Sequence, residues 1–252
     1  MITDDQLKKL ANKFQIDQYS ILREYLQLLF LKYFYEAKES QKIYFKGGTA
    51  IHFLFGSFRF SEDLDFTSLI PVSEIKVLLN KVMGRLEAEV SGLELNDLGI
   101  KEHALTEIIK YRHGLKHPLT IRLEFSLREK PLTHLVSPIE TLFPVGAYPL
   151  VVHLDIEEML AEKARAILTR HKGRDLFDLW FLLSKGVTIN DNYAQKKMDW
   201  YKAKYDPMDL TAAIEKYGEK AVESDLGKFL PRNYRPFIKD LKNKVLEKLG
   251  EL

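Results

Sequence analysis

Two short runs in the first third of the sequence have the residue types of a site for phosphate chemistry. Gly47-Gly48 lies directly before a segment of helical character that begins at Thr49. A glycine pair lets a polyphosphate approach the main chain, because no side chain blocks it. The helix that follows would offer unpaired N–H groups, and Thr49 would add a hydroxyl. A glycine pair before a helix is also typical of an ordinary tight turn, so this run needs a second signal.

The second signal is a pair of acids, Asp63 and Asp65, separated by one residue. In a β-strand, alternate residues point to the same face, so both carboxylates would project together while Leu64 and Phe66 point to the other side. Carboxylates held this close repel each other unless a cation neutralises them, and Mg²⁺ favours carboxylate and phosphate oxygens. The pair therefore predicts a site for Mg²⁺ or Mn²⁺ that suits two-metal phosphoryl transfer.

A third candidate acid, Glu124, lies in a later predicted strand. It alternates with Leu123 and Phe125, and it shares its face with Arg122. One interpretation makes Glu124 a third metal ligand. The other makes it a solvent-facing carboxylate paired with Arg122, and the residues alone leave both open.

The runs FKGGTAI, residues 45–51, and RFSEDLDF, residues 59–66, together resemble the nucleotidyltransferase signature of AbiEii/MenT-type toxins. These toxins belong to the polymerase-β-like nucleotidyltransferase superfamily. The resemblance implies that Asp63 and Asp65 bind metal. It also implies a set of residues near the nucleotide phosphates, namely Lys46, Gly47, Gly48, Thr49, Arg59 and Ser61. For two of these an alternative remains, since Ser61 also fits a turn residue that bonds locally, and Arg59 also fits an ion pair with Glu62 or Asp63.

A second block lies in the helical half. Asp155 followed by Glu158 is typical of a capping box, and Gly173 is typical of a C-cap, so the sequence predicts one helix over 156–172 and another after it. In the second helix, Arg174 and Asp178 have the spacing of a surface ion pair.

The runs EMLAEKARA, residues 158–166, and KGRDLFD, residues 172–178, resemble the second conserved block of the same family. That resemblance implies that these helices line the nucleotide cleft. It makes Lys163 a cation for the triphosphate and places Asp178 near the acceptor hydroxyl or base. Asp175 would be a further nucleotide-binding carboxylate.

The elements around these motifs predict an α+β fold with a boundary near Pro149. The first part has a long amphipathic helix over 17–37 and then mixes further helices with predicted strands at 43–45, 64–67, 95–100, 105–112 and 119–127. From Asp155 onward the period is helical. We therefore expect a mixed-sheet nucleotidyltransferase domain over 1–149 and an all-helical domain over 150–252 that, by the resemblance, completes the nucleotide cleft and contacts the acceptor.

Composition limits the class of protein. The 252 residues include 46% hydrophobic and 29% charged side chains, which is typical of globular proteins. Zero cysteines exclude disulfides, a thiolate nucleophile and the common zinc ligand sets. No run is apolar enough for a membrane span, and no secretory signal is evident at the N-terminus, so the cytoplasm is the expected location. The net charge of +2 decides nothing about nucleic acid.

Two basic-aromatic stretches make RNA a candidate acceptor. One combines Lys196, Lys197, Lys202 and Lys204 with Trp200, Tyr201 and Tyr205, and the other is the basic tail over 228–248 with Tyr234 and Phe237. Solvated helix faces often have the same composition.

The leading hypothesis is a metal-dependent enzyme that moves an NMP from an NTP to tRNA or another RNA. By the resemblance, it would be the toxin of a type IV toxin–antitoxin, or abortive infection, system with a cognate antitoxin. Two alternatives are nucleotidyl modification of a small molecule or protein hydroxyl, and a catalytically silent module that binds a nucleotide or a partner.

Overall fold

The computed structural model describes residues 1–101, 103–112, 114–115, 117–146 and 150–250. The chain divides into two compact units. The first comprises Met1–Gly56 and Phe60–Leu154, and the second comprises Ser57–Arg59 and the chain from Asp155 onward. Pro149, the predicted boundary, lies outside the described residues.

The first unit combines four helices with seven strands among its described residues. In chain order these are α1 Asp4–Phe14, α2 Gln18–Tyr35, β1 Ile43–Lys46, α3 Gly47–Phe55, β2 Asp63–Ser68, α4 Val72–Glu89, β3 Leu93–Lys101, β4 Ala104–Tyr111, β5 Leu119–Ser126, β6 His134–Pro138 and β7 Leu150–Leu154. A 3₁₀ helix, Lys38–Lys42, precedes β1. The predicted mixed α+β fold is confirmed. Strands β6 and β7 were not predicted, and β7 belongs to the first unit although it begins after Pro149.

The seven strands form one mixed sheet in the order β3-β4-β5-β2-β1-β7-β6. Strand β2 runs parallel to β5, and β1 runs parallel to β7, whereas the other neighbours are antiparallel. Strand β2 therefore lies between β5 and β1, and both of its neighbours carry predicted site residues.

An aromatic cluster fixes the register of these three strands. Phe45, Phe66 and Phe125 lie in one row across β1, β2 and β5 and are completely buried. The rings of Phe66 and Phe125 stack with centroids 4.9 Å apart, and Phe34 of α2 packs against both. Because alternate residues of a strand face opposite sides, this core row directs the residues next to each phenylalanine to the other face. They include Lys46, which follows Phe45, and Asp65 and Glu124, which precede Phe66 and Phe125.

The second unit contains helices and no strand among its described residues, as predicted. Its helices are α5 Ile156–Thr169, α6 Gly173–Ser184, α7 Asp191–Asp199, α8 Pro207–Glu215, α9 Glu219–Leu226 and α10 Ile238–Gly250, with 3₁₀ helices at Gly227–Phe229 and Arg232–Phe237. Phe58, from the segment between α3 and β2, stacks on Tyr234 and meets the edge of Phe177. No helix among the described residues is both long enough and apolar enough to span a membrane.

One boundary predicted in this unit is wrong. Helix α5 ends at Thr169 with Arg170 as its C-cap, and Gly173 is the first residue of α6 rather than the cap of α5. The glycine is needed for packing, because a Cβ at Gly173 would lie 2.9 Å from the Cα of Val222. Close approach of two segments, and not a left-handed turn, explains this residue.

Candidate active site

Asp63 and Asp65 both lie in β2 and are half-buried, on either side of the completely buried Leu64. Asp65 lies opposite Lys46 in β1 and opposite Glu124 in β5, so these three side chains form one polar row across the sheet. Asp63 lies opposite Arg122 in β5. The strand predicted to carry the acid pair is present, and its alternation gives both acids the same face.

The glycine turn lies directly against this acid pair. Helix α3 begins at Gly47, whose φ of 78° is in the left-handed region. A Cβ on Gly47 would lie 2.3 Å from Oδ2 of Asp65, so any side chain there would displace the carboxylate. The hydroxyl of Thr49 donates a hydrogen bond to the backbone carbonyl of Asp63. The turn and the strand are therefore joined at both acids.

Several buried polar side chains hold this region, and sequence reasoning had not identified Glu129, Gln27 or Arg23 among them. Lys46 Nζ lies 2.9 Å from Oε1 of Glu129, and both side chains are nearly buried. On α2, Gln27 Nε2 donates to the carbonyl oxygen of Ser61 at 3.2 Å, and Arg23 lies 3.3 Å from Glu62. The sequence signal that could have found Gln27 is a polar residue inside an apolar helical run. In the structure its side chain is only 1% exposed.

Glu124 is paired with Arg122, as the second interpretation predicted. Arg122 donates to Oε2 of Glu124 at 2.9 Å, and both side chains are partly exposed. Across the described residues, no three His, Cys, Asp or Glu side chains converge as a metal site. Glu124 is therefore not brought together with Asp63 and Asp65 in one three-ligand group.

The second block of predicted residues forms a buried ionic network in the helical unit. Asp178 is fully buried and accepts two hydrogen bonds from Arg59, each 2.8 Å long. Lys163 Nζ lies 2.8 Å from Oδ2 of Asp178 and 3.0 Å from Oδ1 of Asp175. Arg170 also donates to Asp175, at 2.8 Å. The sequence predicted these residues but not the pairing of Arg59 with Asp178.

Charge pairing overcomes burial in this network. Burial by itself raises the pKa of Asp178, but the charges of Arg59 and Lys163 hold that pKa below its ordinary value. Burial likewise opposes the charge on Lys163, and Asp178 and Asp175 raise its pKa nonetheless. The pKa of Asp175 is held far below its usual range by Lys163 and Arg170, against the effect of burial. Asp178, Asp175 and Lys163 are therefore all ionised at neutral pH.

Two predicted surface features are replaced by other pairings. Arg174 lies 3.4 Å from Asp225 of α9, so the predicted ion pair with Asp178 is wrong. Lys197, predicted in a basic patch, is buried with its Nζ 2.6 Å from Glu158 and 3.1 Å from Glu162. The tail aromatics make ring contacts, Tyr234 with Phe58 and Phe237 with Trp180, although Tyr234 is still 43% exposed.

The matching family model is that of the AbiEii nucleotidyl transferase toxins of type IV toxin–antitoxin systems, over residues 29–248. The chain belongs to this family. It is accordingly a nucleotidyltransferase, and the resemblance of its two motif blocks to AbiEii toxins is confirmed.

Solved structures agree with this fold. MenT4, a nucleotidyltransferase toxin from Mycobacterium tuberculosis H37Rv, is 18% identical with a TM-score of 0.72, covering 100% of this chain and 91% of its own. JHP933 from Helicobacter pylori is 22% identical with a TM-score of 0.59, covering 94% of both chains. A search of the curated proteins found no match.

Proposed function

We propose that this nucleotidyltransferase moves an NMP from an NTP to a hydroxyl of tRNA or another RNA and releases pyrophosphate. The observation that carries the proposal is the acid pair of β2 lying against a glycine turn that has no room for a side chain. A triphosphate needs close main-chain approach and a helix N-terminus, and the start of α3 offers both. Family membership supports an NTP as the donor.

The acid pair fits a divalent cation. Asp63 and Asp65 are hard oxygen donors on one face of β2, and neither is fully buried. Mg²⁺ takes one or two carboxylates and completes its shell with water and substrate phosphates, so a two-acid protein set is sufficient. We assign Mg²⁺ or Mn²⁺ to Asp63 and Asp65, and Glu124 as a third ligand stays a prediction. When bound, such an ion neutralises charge on the triphosphate and favours ionisation of the attacking hydroxyl.

In the reaction, the acceptor hydroxyl attacks the α-phosphate, the bond to the β-phosphate breaks, and pyrophosphate leaves. The backbone of Gly47 and Gly48 would hold phosphate oxygens while the Asp65 carboxylate keeps its place against the turn. Thr49 would act through position, because its hydroxyl proton is donated to the carbonyl of Asp63. Phosphate contacts by Lys46 and Ser61 stay predictions, and Lys46 would be oriented by Glu129.

Buried groups of the second unit would support catalysis in different ways. The raised pKa of Lys163 keeps its ammonium charged, as a cation for triphosphate requires. Asp178 has a lowered pKa and is fully buried, which makes it a poor acceptor for a hydroxyl proton. We therefore assign Asp178, with Asp175, to positioning Lys163 and Arg59, and contact of Arg59 or Asp175 with the nucleotide remains a prediction.

The decisive test is a transfer assay with Mg²⁺, each labelled NTP and total tRNA. Asp65→Asn is expected to reduce transfer by more than about 100-fold, because a preorganised charge in the transition state is lost. The matched control is Asp97→Asn, another strand carboxylate of the same sheet, which is paired with Lys76 on the surface. Wild-type transfer by Asp65→Asn, with unchanged folding, would contradict the metal assignment.

The same assay separates the alternatives. Label on protein or a small molecule would support a different acceptor, and no transfer under any condition would support a silent binding module. We also propose that the chain acts in the cytoplasm as a toxin restrained by a cognate antitoxin protein, as its family suggests. Growth arrest on expression of the wild type, but not of Asp65→Asn, is the expected result.

A further inference from the structure

A cavity of about 550 Å³ opens in the first unit on the polar side of the sheet. It is lined by Leu98, Gly99, Lys101, Ala104, Thr106, Arg122, Glu124 and Arg128. Gly99, Thr106 and Glu124 lie opposite one another in β3, β4 and β5, and that row continues to Asp65 in β2. The cavity therefore shares a sheet face with the acid pair.

The charges of the cavity favour a phosphate ligand. Three cations, Lys101, Arg122 and Arg128, line it against the single carboxylate of Glu124. The bond between Arg122 and Glu124 orients that guanidinium, and guanidinium groups bind phosphate oxygens through paired donors. Leu98 and Ala104 provide an apolar wall on which a ribose or base would pack.

The cavity and the glycine turn lie on opposite sides of the acid pair. Gly47 follows β1, which neighbours β2 on one side, whereas the cavity begins at β5 on the other. Neighbouring strands are about 4.8 Å apart, so Glu124 at the cavity edge lies one strand away from Asp65. A transfer enzyme needs room for two phosphate-bearing substrates, one on each side of the reacting centre, and this face offers both.

We propose that this cavity binds the terminal nucleotides of the RNA acceptor, with Lys101, Arg122 and Arg128 on the backbone phosphates. The proposal rests on the proposed function and names the place of its acceptor. The predicted RNA contact by the tail is tested beside it, because Tyr234 stacks on Phe58 but is still 43% exposed. Phosphates held here would leave the terminal hydroxyl at the Glu124 edge, toward Asp65.

The test measures binding separately from transfer. In an Asp65→Asn background, affinities for total tRNA, for a short single-stranded RNA and for NTP are measured with Lys101→Gln, Arg122→Gln and Arg128→Gln, singly and combined. Matched controls are Arg232→Gln and Lys239→Gln in the tail. The combined cavity variant is expected to weaken RNA binding by more than about 10-fold and to flatten its salt dependence by about 0.7 per lost phosphate contact. NTP affinity and the thermal unfolding midpoint should stay unchanged.

Each other outcome is informative. Unchanged RNA affinity in the combined variant, or a loss confined to the tail controls, would overturn the proposal. A parallel loss of NTP affinity would assign the cavity to the triphosphate instead, and would also overturn it. The combined variant is also made with Asp65 intact. If it transfers to RNA as well as the wild type does, the cavity is not the acceptor site, while the proposed function stands. Absence of any wild-type transfer would reject the function itself.

Discussion

Asp63 and Asp65 of the first unit lie half-exposed beside each other, whereas Asp175 and Asp178 of the second unit are buried among cations. Both pairs belong to family motifs, and both were predicted as functional carboxylates. Their surroundings indicate different roles. Half-exposed carboxylates can take a cation that binds and leaves with the substrate, whereas a buried charge must be paired within the fold.

This difference predicts that the two regions respond oppositely to loss of a carboxylate. In β2, the carboxylates are half-exposed, so removing one charge should cost activity with little loss of stability. In the buried network, removing a carboxylate leaves its cationic partners buried without full charge compensation, so the main loss should be in stability.

The largest expected effect is that of Asp178→Asn. The substitution leaves Arg59 and Lys163 buried with one fewer negative charge, so we expect the free energy of unfolding to fall by about 3–5 kcal/mol. Chemical denaturation followed by circular dichroism measures it. Asp63→Asn is the matched variant in the strand pair and should change stability by less than about 0.5 kcal/mol. Equal losses in both variants would break the comparison.

The pH dependence sharpens the same test. Because the folded-state pKa of Asp178 lies below the ordinary 3.8, its contribution to stability is present above that pH and is lost as pH falls through the folded value. The stability gap between the wild type and Asp178→Asn should therefore narrow below about pH 4. A gap independent of pH would mean that packing, and not charge, explains the loss.

A smaller effect on stability, with a large one on activity, is expected for Gly47→Ala. An alanine at a φ of 78° costs about 1–2 kcal/mol, and its Cβ would push the carboxylate of Asp65 out of place. Misplacing a reacting group by about 1 Å can lower turnover by about 100-fold, so transfer should fall by that order.

Gly56→Ala is the control for this variant. Gly56 follows the other end of α3 with a φ of 76°, and a Cβ there meets nothing within 4 Å. It should lose similar stability and retain transfer. If both variants lose transfer equally, the contact between Gly47 and Asp65 has no special role.

Much of the fold was predictable because local pattern and packing agree. Strands β1, β2 and β5 were read from short apolar runs, and the phenylalanine row that fixes their register is visible in those runs. Strand β6 was missed because its sequence, HLVSP, offers one adjacent apolar pair, Leu135 and Val136, and no alternating run. Strand β7 was missed because it directly precedes the helical half and contributes only one short run, Leu150–Leu154.

The candidate site was predicted residue by residue but not in its pairings. Alternation in β2 predicts which way Asp63 and Asp65 point, since that depends only on neighbours in sequence. Arg59 and Asp178 are separated by 119 positions in the sequence. No local sequence pattern indicates which acid will pair with an arginine at that distance along the chain. Partner choice in buried networks depends on tertiary packing.

The smallest expected effect concerns Glu107 of β4, a buried acid that lacks the partners Asp178 has. Glu107 is 2% exposed, lies opposite Asp97, and its Oε2 has no hydrogen-bond partner among the described residues. Burial raises the pKa of Glu107 above its ordinary 4.5, and the charge of Asp97 adds to this. A raised folded-state pKa means that stability is lost as pH rises through it.

Glu107→Gln should therefore stabilise the protein at neutral pH, by about 1 kcal/mol, because like charges opposite each other in a sheet are destabilising. The gain should shrink as pH falls below about 4.5, because the wild-type carboxyl then becomes protonated in both the folded and the unfolded state. Glu94→Gln is the control, since Glu94 lies on the exposed surface near Arg112 and should give no gain. Thermal unfolding across pH measures the stability of both variants. A loss of stability in Glu107→Gln would mean that this sheet tolerates a buried carboxylate without a full set of partners.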